Sequence, residues 1–442
     1  MNQMPFDTDI ENPWKKRDEI PYPKTVALIP IVLIYILAAL SPIFIGAEQL
    51  SLIAYIGLCA GIVYALRMPR IVISVILASF IPVALLGSFS AGVTVLGIVA
   101  GTGCGAVLLT AMPSPWRTVI LPIAAWGIAF AITGDPALSC LTLITLPASL
   151  LLALATVTGQ RRTTAVCYTI GGLLVTVLAL LVIYFVVTYG SVSRDTIVSH
   201  FDTQREWVVG ILVRYKDEML KLLTEQGMQG SASYTALETL MSRENLVTLV
   251  AMIYNILPAL VIVLCSILAY ESQSLVCGTY CTLGMKKMLT PASVAFTMST
   301  ASAIIYLVTF FLTAVLPANG MASAVAQNFY LILTPGLILI GFGATVFRFR
   351  TTKGGPKIIL SILLIFILIT DVTALFSLLA FFGALTVIIS AIGARMIGKM
   401  KEQMPPNGTN FGERMPHEES KNDSKEPSEE KDKKDSEDDT QE

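Results

Sequence analysis

The sequence predicts an all-α fold: a polytopic transmembrane helical bundle of about twelve spans, with an extracytoplasmic amphipathic helical segment and a disordered C-terminal tail. Three observations predict it. First, 54% of the residues are hydrophobic and only 14% are charged, and the mean hydropathy is +0.72. Soluble domains carry about 25% charged residues, so the bilayer is the solvent for most of this chain. Second, apolar runs near the roughly 20 residues that a spanning helix needs recur along the sequence. Third, lysine and arginine are confined to alternate short loops, which marks a fixed orientation.

The first 24 residues are polar, mixed in charge and proline-rich, a cytoplasmic N-terminal segment. They contain no early apolar core with a small-residue cleavage site, so the first span is read as an uncleaved anchor. An N-terminal membrane region, 25–189, holds seven spans near 25–45, 49–66, 71–87, 90–112, 118–133, 137–158 and 164–189. A C-terminal membrane region, 246–395, holds five near 246–270, 291–316, 322–347, 357–370 and 373–394. Asp371 interrupts the last apolar stretch, which is therefore two spans or a re-entrant hairpin. With twelve spans, the even-numbered loops carry Arg67 and Arg70, then Arg117, Arg161 and Arg162, Lys286 and Lys287, and Arg348 to Lys357. The short odd-numbered loops around Glu48, Gly87, Asp135, Pro317 and Asp371 carry neither lysine nor arginine. This alternation puts both termini in the cytoplasm.

One long segment, 190–245, falls outside the spans. From Arg205 to Gln226 it reads as an amphipathic helix, with Val208, Leu212, Tyr215, Met219, Leu222 and Leu223 on one face. A second short helix is expected from Thr235, where Thr-x-x-Glu to Glu238 suits a capping box. Such a hairpin lies on the outer membrane surface or over the bundle, or acts as a lid or partner-docking element. The tail, 402–442, holds 14 acidic and 6 basic residues, against 17 and 24 in the remainder of the chain. A net charge of −1 is thus the sum of a basic body and an acidic tail too poor in apolar residues to fold alone.

Charged groups inside a membrane mark solute or ion paths because they are costly to hold there. Glu48, Asp135, Glu271 and Asp371 are all expected at span ends, with Asp371 deep only if the last spans form a re-entrant pair. Two spans carry helix-disturbing residues. Asn255 and Pro258 interrupt one; Gln327, Asn328, Thr334, Pro335 and Gly336 interrupt another. Interrupted helices expose backbone groups that transporters use to bind solutes, and plain proline kinks satisfied by neighbours are the other reading. Asn255, Pro258, Asn328, Thr334, Pro335 and Asp371 are the candidate solute-binding residues. Gly97, Gly101 and Gly105 form a smooth helix face for internal packing or for another membrane subunit. Cys277 and Cys281 lack two further ligands for zinc, and no metal set, cofactor motif, phosphate loop or His-Glu-x-x-His is present in the sequence. An enzyme is not expected.

The second half resembles the YybS-like family, predicted membrane proteins of Gram-positive bacteria with a domain of unknown function. The resemblance rests on Leu257-Pro258-Ala259-Leu260, the stretch around Pro291, and Asn328 followed by Pro335-Gly336-Leu337-Ile338-Leu339-Ile340. Pro335 stands where the family usually has a glutamine. An outside amphipathic segment before the Leu-Pro span and the closing apolar pair at Ala374 to Arg395 also fit, and the resemblance covers roughly 75–395. It implies a bacterial cytoplasmic membrane protein, distantly like the substrate-binding components of energy-coupling-factor transporters. Two functions follow as expectations. One is a transport-related solute-binding or permease-like subunit without its own ATPase, with a cavity lined by Asn255, Asn328 and Thr334. The other is an envelope scaffold or assembly factor acting through the acidic tail and the outside hairpin. The partners expected are the lipid bilayer, other membrane subunits and an unidentified small-molecule ligand; nucleic acid is not among them.

Overall fold

The computed structural model describes residues 20–44, 47–66, 68–113, 115–135, 139–290, 296–317, 320–351 and 371–403. The expected span 357–370, most of the N-terminal segment and nearly all of the acidic tail lie outside the described residues. Thirteen α-helices and no strand are present among the described residues. They are α1 (Thr25–Leu40), α2 (Glu48–Leu66), α3 (Pro69–Leu86), α4 (Phe89–Ala111), α5 (Pro115–Thr133), α6 (Leu146–Val157) and α7 (Arg162–Tyr189). Then follow α8 (Arg194–Glu225), α9 (Ala232–Leu240), α10 (Arg243–Thr282), α11 (Thr300–Val315), α12 (Met321–Thr351) and α13 (Val372–Gln403). Seven are long and apolar enough to cross a membrane, namely α1 with its following turn, α2, α4, α7, α10, α12 and α13. The shorter apolar helices α3, α5, α6 and α11 fill the other expected spans within the described residues.

Local chemistry sets the ends. Pro69 opens α3, where a missing N–H costs nothing. Gly87 closes it with φ of 63°, and Gly190 closes α7 with φ of 73°, a backbone that L side chains resist. Serine caps the later helices. Ser193, Ser231, Ser242 and Ser299 each accept from the amide three residues on. Ser231 displaces the expected capping box: α9 begins at Ala232, and Thr235 lies inside it, its carbonyl accepting from the Thr239 hydroxyl. The serine comes first in the chain and its side chain reaches the Tyr234 amide, so the helix nucleates a turn early.

The core sits around α4, which is buried along most of its length and packs against α1, α2, α3, α6 and α10. Glycines make this possible. A Cβ at Gly97 would overlap Ser41 Oγ; at Gly101 it would lie 2.9 Å from Thr145 Cγ2; at Gly105, 2.5 Å from Ser149 Oγ. On another face, a Cβ at Gly103 would lie 2.8 Å from Leu275 of α10. The face formed by Gly97, Gly101 and Gly105 is therefore occupied by α1, its following turn, and α6 with the chain leading into it. A second cluster joins Ala303 and Tyr306 of α11, Leu337 of α12, and Ala380 and Ala384 of α13. There Gly341 and Gly383 face each other's helix backbone: a Cβ on either would overlap a carbonyl oxygen, of Leu379 or of Leu337.

Helix α10 corrects the expected span 246–270. It runs for 40 residues, about 60 Å at 1.5 Å per residue and twice the hydrocarbon thickness of a bilayer. It does not stop at Glu271, because Glu271 to Tyr280 are taken up inside the bundle. Its first turns pack antiparallel to α8, through Val209 on Leu246 and Val250 and through the Phe201 ring on Tyr254. The hairpin thus continues the line of α10 instead of lying across the bundle. At the α7–α8 corner, the His200 ring meets Tyr184, Phe185 and Tyr189 at 5.4–5.6 Å, and the Tyr189 hydroxyl is 2.6 Å from His200 Nδ1.

Gly341→Ala should lower stability by about 1–3 kcal/mol through overpacking. Gly343→Ala, where a Cβ meets open space, should change it by less than about 0.5 kcal/mol. Thermal unfolding in detergent compares the two.

Candidate functional site

The sequence-predicted residues fall into separate places. Asn255, Pro258 and Asn328 come together at the seam of α10 and α12. Pro258 has no N–H and its ring disturbs the helix ladder. Asn328 repairs the break from across the seam. Its Nδ2 donates to the Asn255 carbonyl at 2.9 Å, and its Oδ1 accepts from the Ala259 amide at 3.2 Å. Nδ2 also donates to the Ala324 carbonyl at 2.8 Å, so the whole amide is engaged with backbone. Thr334 lies further along α12 and donates to the Tyr330 carbonyl at 2.6 Å. Pro335 is beside it, and Gly336 packs on Met298 and Phe296. Asp371 is exposed and caps α13, its Oδ1 accepting from the Thr373 and Ala374 amides at 2.8 and 3.1 Å. The Thr373 side chain and these amides hold its carboxyl below the usual carboxylate range. Asp371 does not join the Asn255–Asn328 seam. Asn328→Ala should strand the Asn255 carbonyl and the Ala259 amide, costing about 1–2 kcal/mol. Detergent unfolding midpoints would show it, with Asn328→Gln failing to restore the paired geometry.

A cavity of about 90 Å³ lies elsewhere, against α4. Its walls include Ser41, Pro42, Thr94, Gly97, Thr142 and Thr145. Two short 3-10 turns frame it, Ser41–Phe44 after α1 and Leu141–Leu143 before α6. Pro42 lies inside the first turn, and Pro147, in the middle of the apolar run 137–158, removes the amide that would have bonded the Leu143 carbonyl, so each proline breaks the helix ladder at an interruption. The expected single helix 137–158 is thereby split. The lining is apolar with four hydroxyls and no charge. Thr145 Oγ1 is buried, with the Tyr35 hydroxyl close by. The volume is that of about three waters, well below the roughly 300 Å³ at which drug-sized pockets begin.

On a different face of α4 stands a group the sequence reading placed at a span end. Glu271 is only 7% exposed. Its Oε1 accepts from Ser74 Oγ at 2.7 Å. The next residue, Ser272, donates to the Leu268 carbonyl and to Val99 midway along α4. One turn on, Arg162 of α7 donates to Ser274 Oγ at 2.6 Å and lies 4.2 Å from the Tyr270 ring. The signal in the sequence was the apolar run Leu275 to Cys277 resuming in helical register after four polar residues. At the start of α4, by contrast, Glu48 accepts from Ser88, Ser90 and the Phe89 amide, an anion at a helix N-terminus.

The profile of a family described as predicted membrane protein (DUF2232) matches residues 71–385. No curated protein and no solved structure matches the chain. The likeness to energy-coupling-factor components is unsupported by these comparisons. The match spans both membrane regions and the hairpin between them, in keeping with the resemblance seen in the residues, and the chain belongs to this family of predicted membrane proteins.

Proposed function

We propose that this chain is a transport-related, permease-like protein of the bacterial cytoplasmic membrane. It carries no ATPase of its own and acts on a solute of a few heavy atoms. The observation that carries the reading is the small cavity framed by two 3-10 interruptions against α4. Interrupted helices are tolerated in a membrane where they line a cavity, and they present backbone groups to what enters it. Short 3-10 stretches also mark hinges. Four hydroxyls without an ionisable partner in the lining suit binding and passage better than catalysis, so the protein is read as a non-enzyme. The basic loops favour cytoplasmic termini and an outside hairpin.

Proteoliposomes in stopped-flow light scattering would test it, against water, urea, glycerol, ammonium and alkali salts. At least one solute should cross faster than through protein-free vesicles. Thr94→Leu, which narrows the cavity from its α4 wall, should return that flux to the protein-free rate with the protein still folded. Equal rates for every solute would end the reading.

A second reading has its own observation. Trp207, Ile211, Tyr215 and Leu222 line one exposed face of α8, away from the residues that pack on α10. That face suits an envelope protein partner, as a scaffold would need. Trp207→Glu combined with Tyr215→Glu should abolish a defined crosslinked species in native membranes while leaving the unfolding midpoint unchanged. An unaltered crosslinking pattern would remove this reading.

A further inference from the structure

We propose that Glu271 is a buried site for an exchangeable monovalent cation, a proton or an alkali ion, separate from the small cavity. The argument begins with the carboxylate's two oxygens. Oε1 has the Ser74 hydroxyl. Oε2 is buried, and no hydrogen-bond partner reaches it among the described residues. A bare anionic oxygen is unstable away from water, and in proteins such a group is neutralised or paired. Within a membrane bundle, ionisable groups that face the interior belong to functional paths.

The surroundings narrow what neutralises it. The charged group facing this region is Arg162 from α7, which donates to Ser274 and lies over the Tyr270 ring while its charge also acts on Glu271, without a hydrogen bond to Oε2 among the described residues. Helix α3 presents Ser74, a hydroxyl. Helix α4 presents the Val99 carbonyl and Gly103 to the neighbouring Ser272 and Leu275. On α10 itself, Cys277 is the next ionisable group and lies beside Arg162. No cluster of three acidic, histidine or cysteine residues able to hold a divalent metal occurs among the described residues. A single carboxylate with one hydroxyl matches one positive charge. A route to water is short as well. Ser74 is the sixth residue of α3, which puts the carboxyl within about 8 Å of that helix end along its axis. That end carries Arg70 at the second position of the helix, and Thr282 of α10 donates to the Leu66 carbonyl just before it.

Dicyclohexylcarbodiimide tests the site without any transport assay. The reagent is apolar and reacts with a protonated carboxyl. The acid adds across one C=N bond, its proton goes to nitrogen, and acyl migration leaves a stable N-acylurea with no leaving group. The full-length protein in lipid nanodiscs would be treated across a pH series, and the adduct located by peptide mass spectrometry. We expect the adduct on Glu271 and none on Glu48, with labelling falling about tenfold per pH unit above its midpoint. Ser74→Ala removes a donor that favours the anion, so labelling should persist to higher pH. At fixed pH, protection by sodium chloride but not by choline chloride would assign the occupant as an alkali ion, and unchanged labelling would assign a proton. No adduct on Glu271 at any pH, with or without sodium, in folded protein would overturn the proposal. Failure here leaves the cavity untouched, and inert vesicles in the flux assay leave this site untouched.

Discussion

The bundle depends on a helix that offers its neighbours almost no side chains where they need to approach. Along α4, Gly92, Gly97, Gly101, Gly103 and Gly105 each meet a different piece of the chain at a distance that a Cβ would not permit. Glycine weakens a helix by about 1 kcal/mol relative to alanine. In lipid, however, dispersion between closely packed backbones is a main source of helix association, because there is little apolar burial left to gain. The close approach also explains the placement of hydroxyls. Ser149 of α6 donates to its own helix at Thr145 and toward Gly101, and Ser272 of α10 donates to its own helix and toward Val99. Each hydroxyl adds a weak cross-link to a contact that glycine makes possible.

The same device recurs, in a stricter form, between α12 and α13. Gly341 and Gly383 each face a carbonyl of the other's helix, so the two backbones touch reciprocally. Beside them the Tyr330 and Ser377 hydroxyls come within 3.3 Å. Asn328 follows a different logic at the α10–α12 seam, where a side-chain amide takes the position of a missing ladder bond. The chain thus joins its helices by removing side chains in one place and by lending one in another.

Much of the fold was legible in the residues. Apolar runs located the helices, because an apolar run is a property of a single segment. The features that were missed depend on partners far away in sequence. Glu271 read as the end of a span because four polar residues follow Tyr270. Its burial comes from Ser74, 197 residues earlier, and that of Ser272 from Val99, 173 residues earlier. The two turns beside Pro42 and Pro147 come together against one cavity, which no single segment of the sequence records. Asn255 and Asn328, grouped in the sequence as candidate solute-binding residues, meet at one seam. Which group the Asn328 amide would serve depended on register between two helices, and no single segment records that. The cavity described on α4 lies apart from Asn255, Asn328 and Thr334, and the Asn328 amide and the Thr334 hydroxyl are engaged with backbone carbonyls.

Helix α10 has a mechanical consequence. It is one continuous rod from the hairpin to the buried carboxylate, and its weak point is Pro258, where Asn328 holds it to α12. Arg243 stands about 22 Å before that point and Glu271 about 20 Å beyond it. The half beyond the proline is taken up inside the bundle, while the half before it packs on the hairpin. A sideways load on the hairpin is therefore concentrated at Pro258, where the helix ladder is weakest, and the side chain that braces that point is a single asparagine.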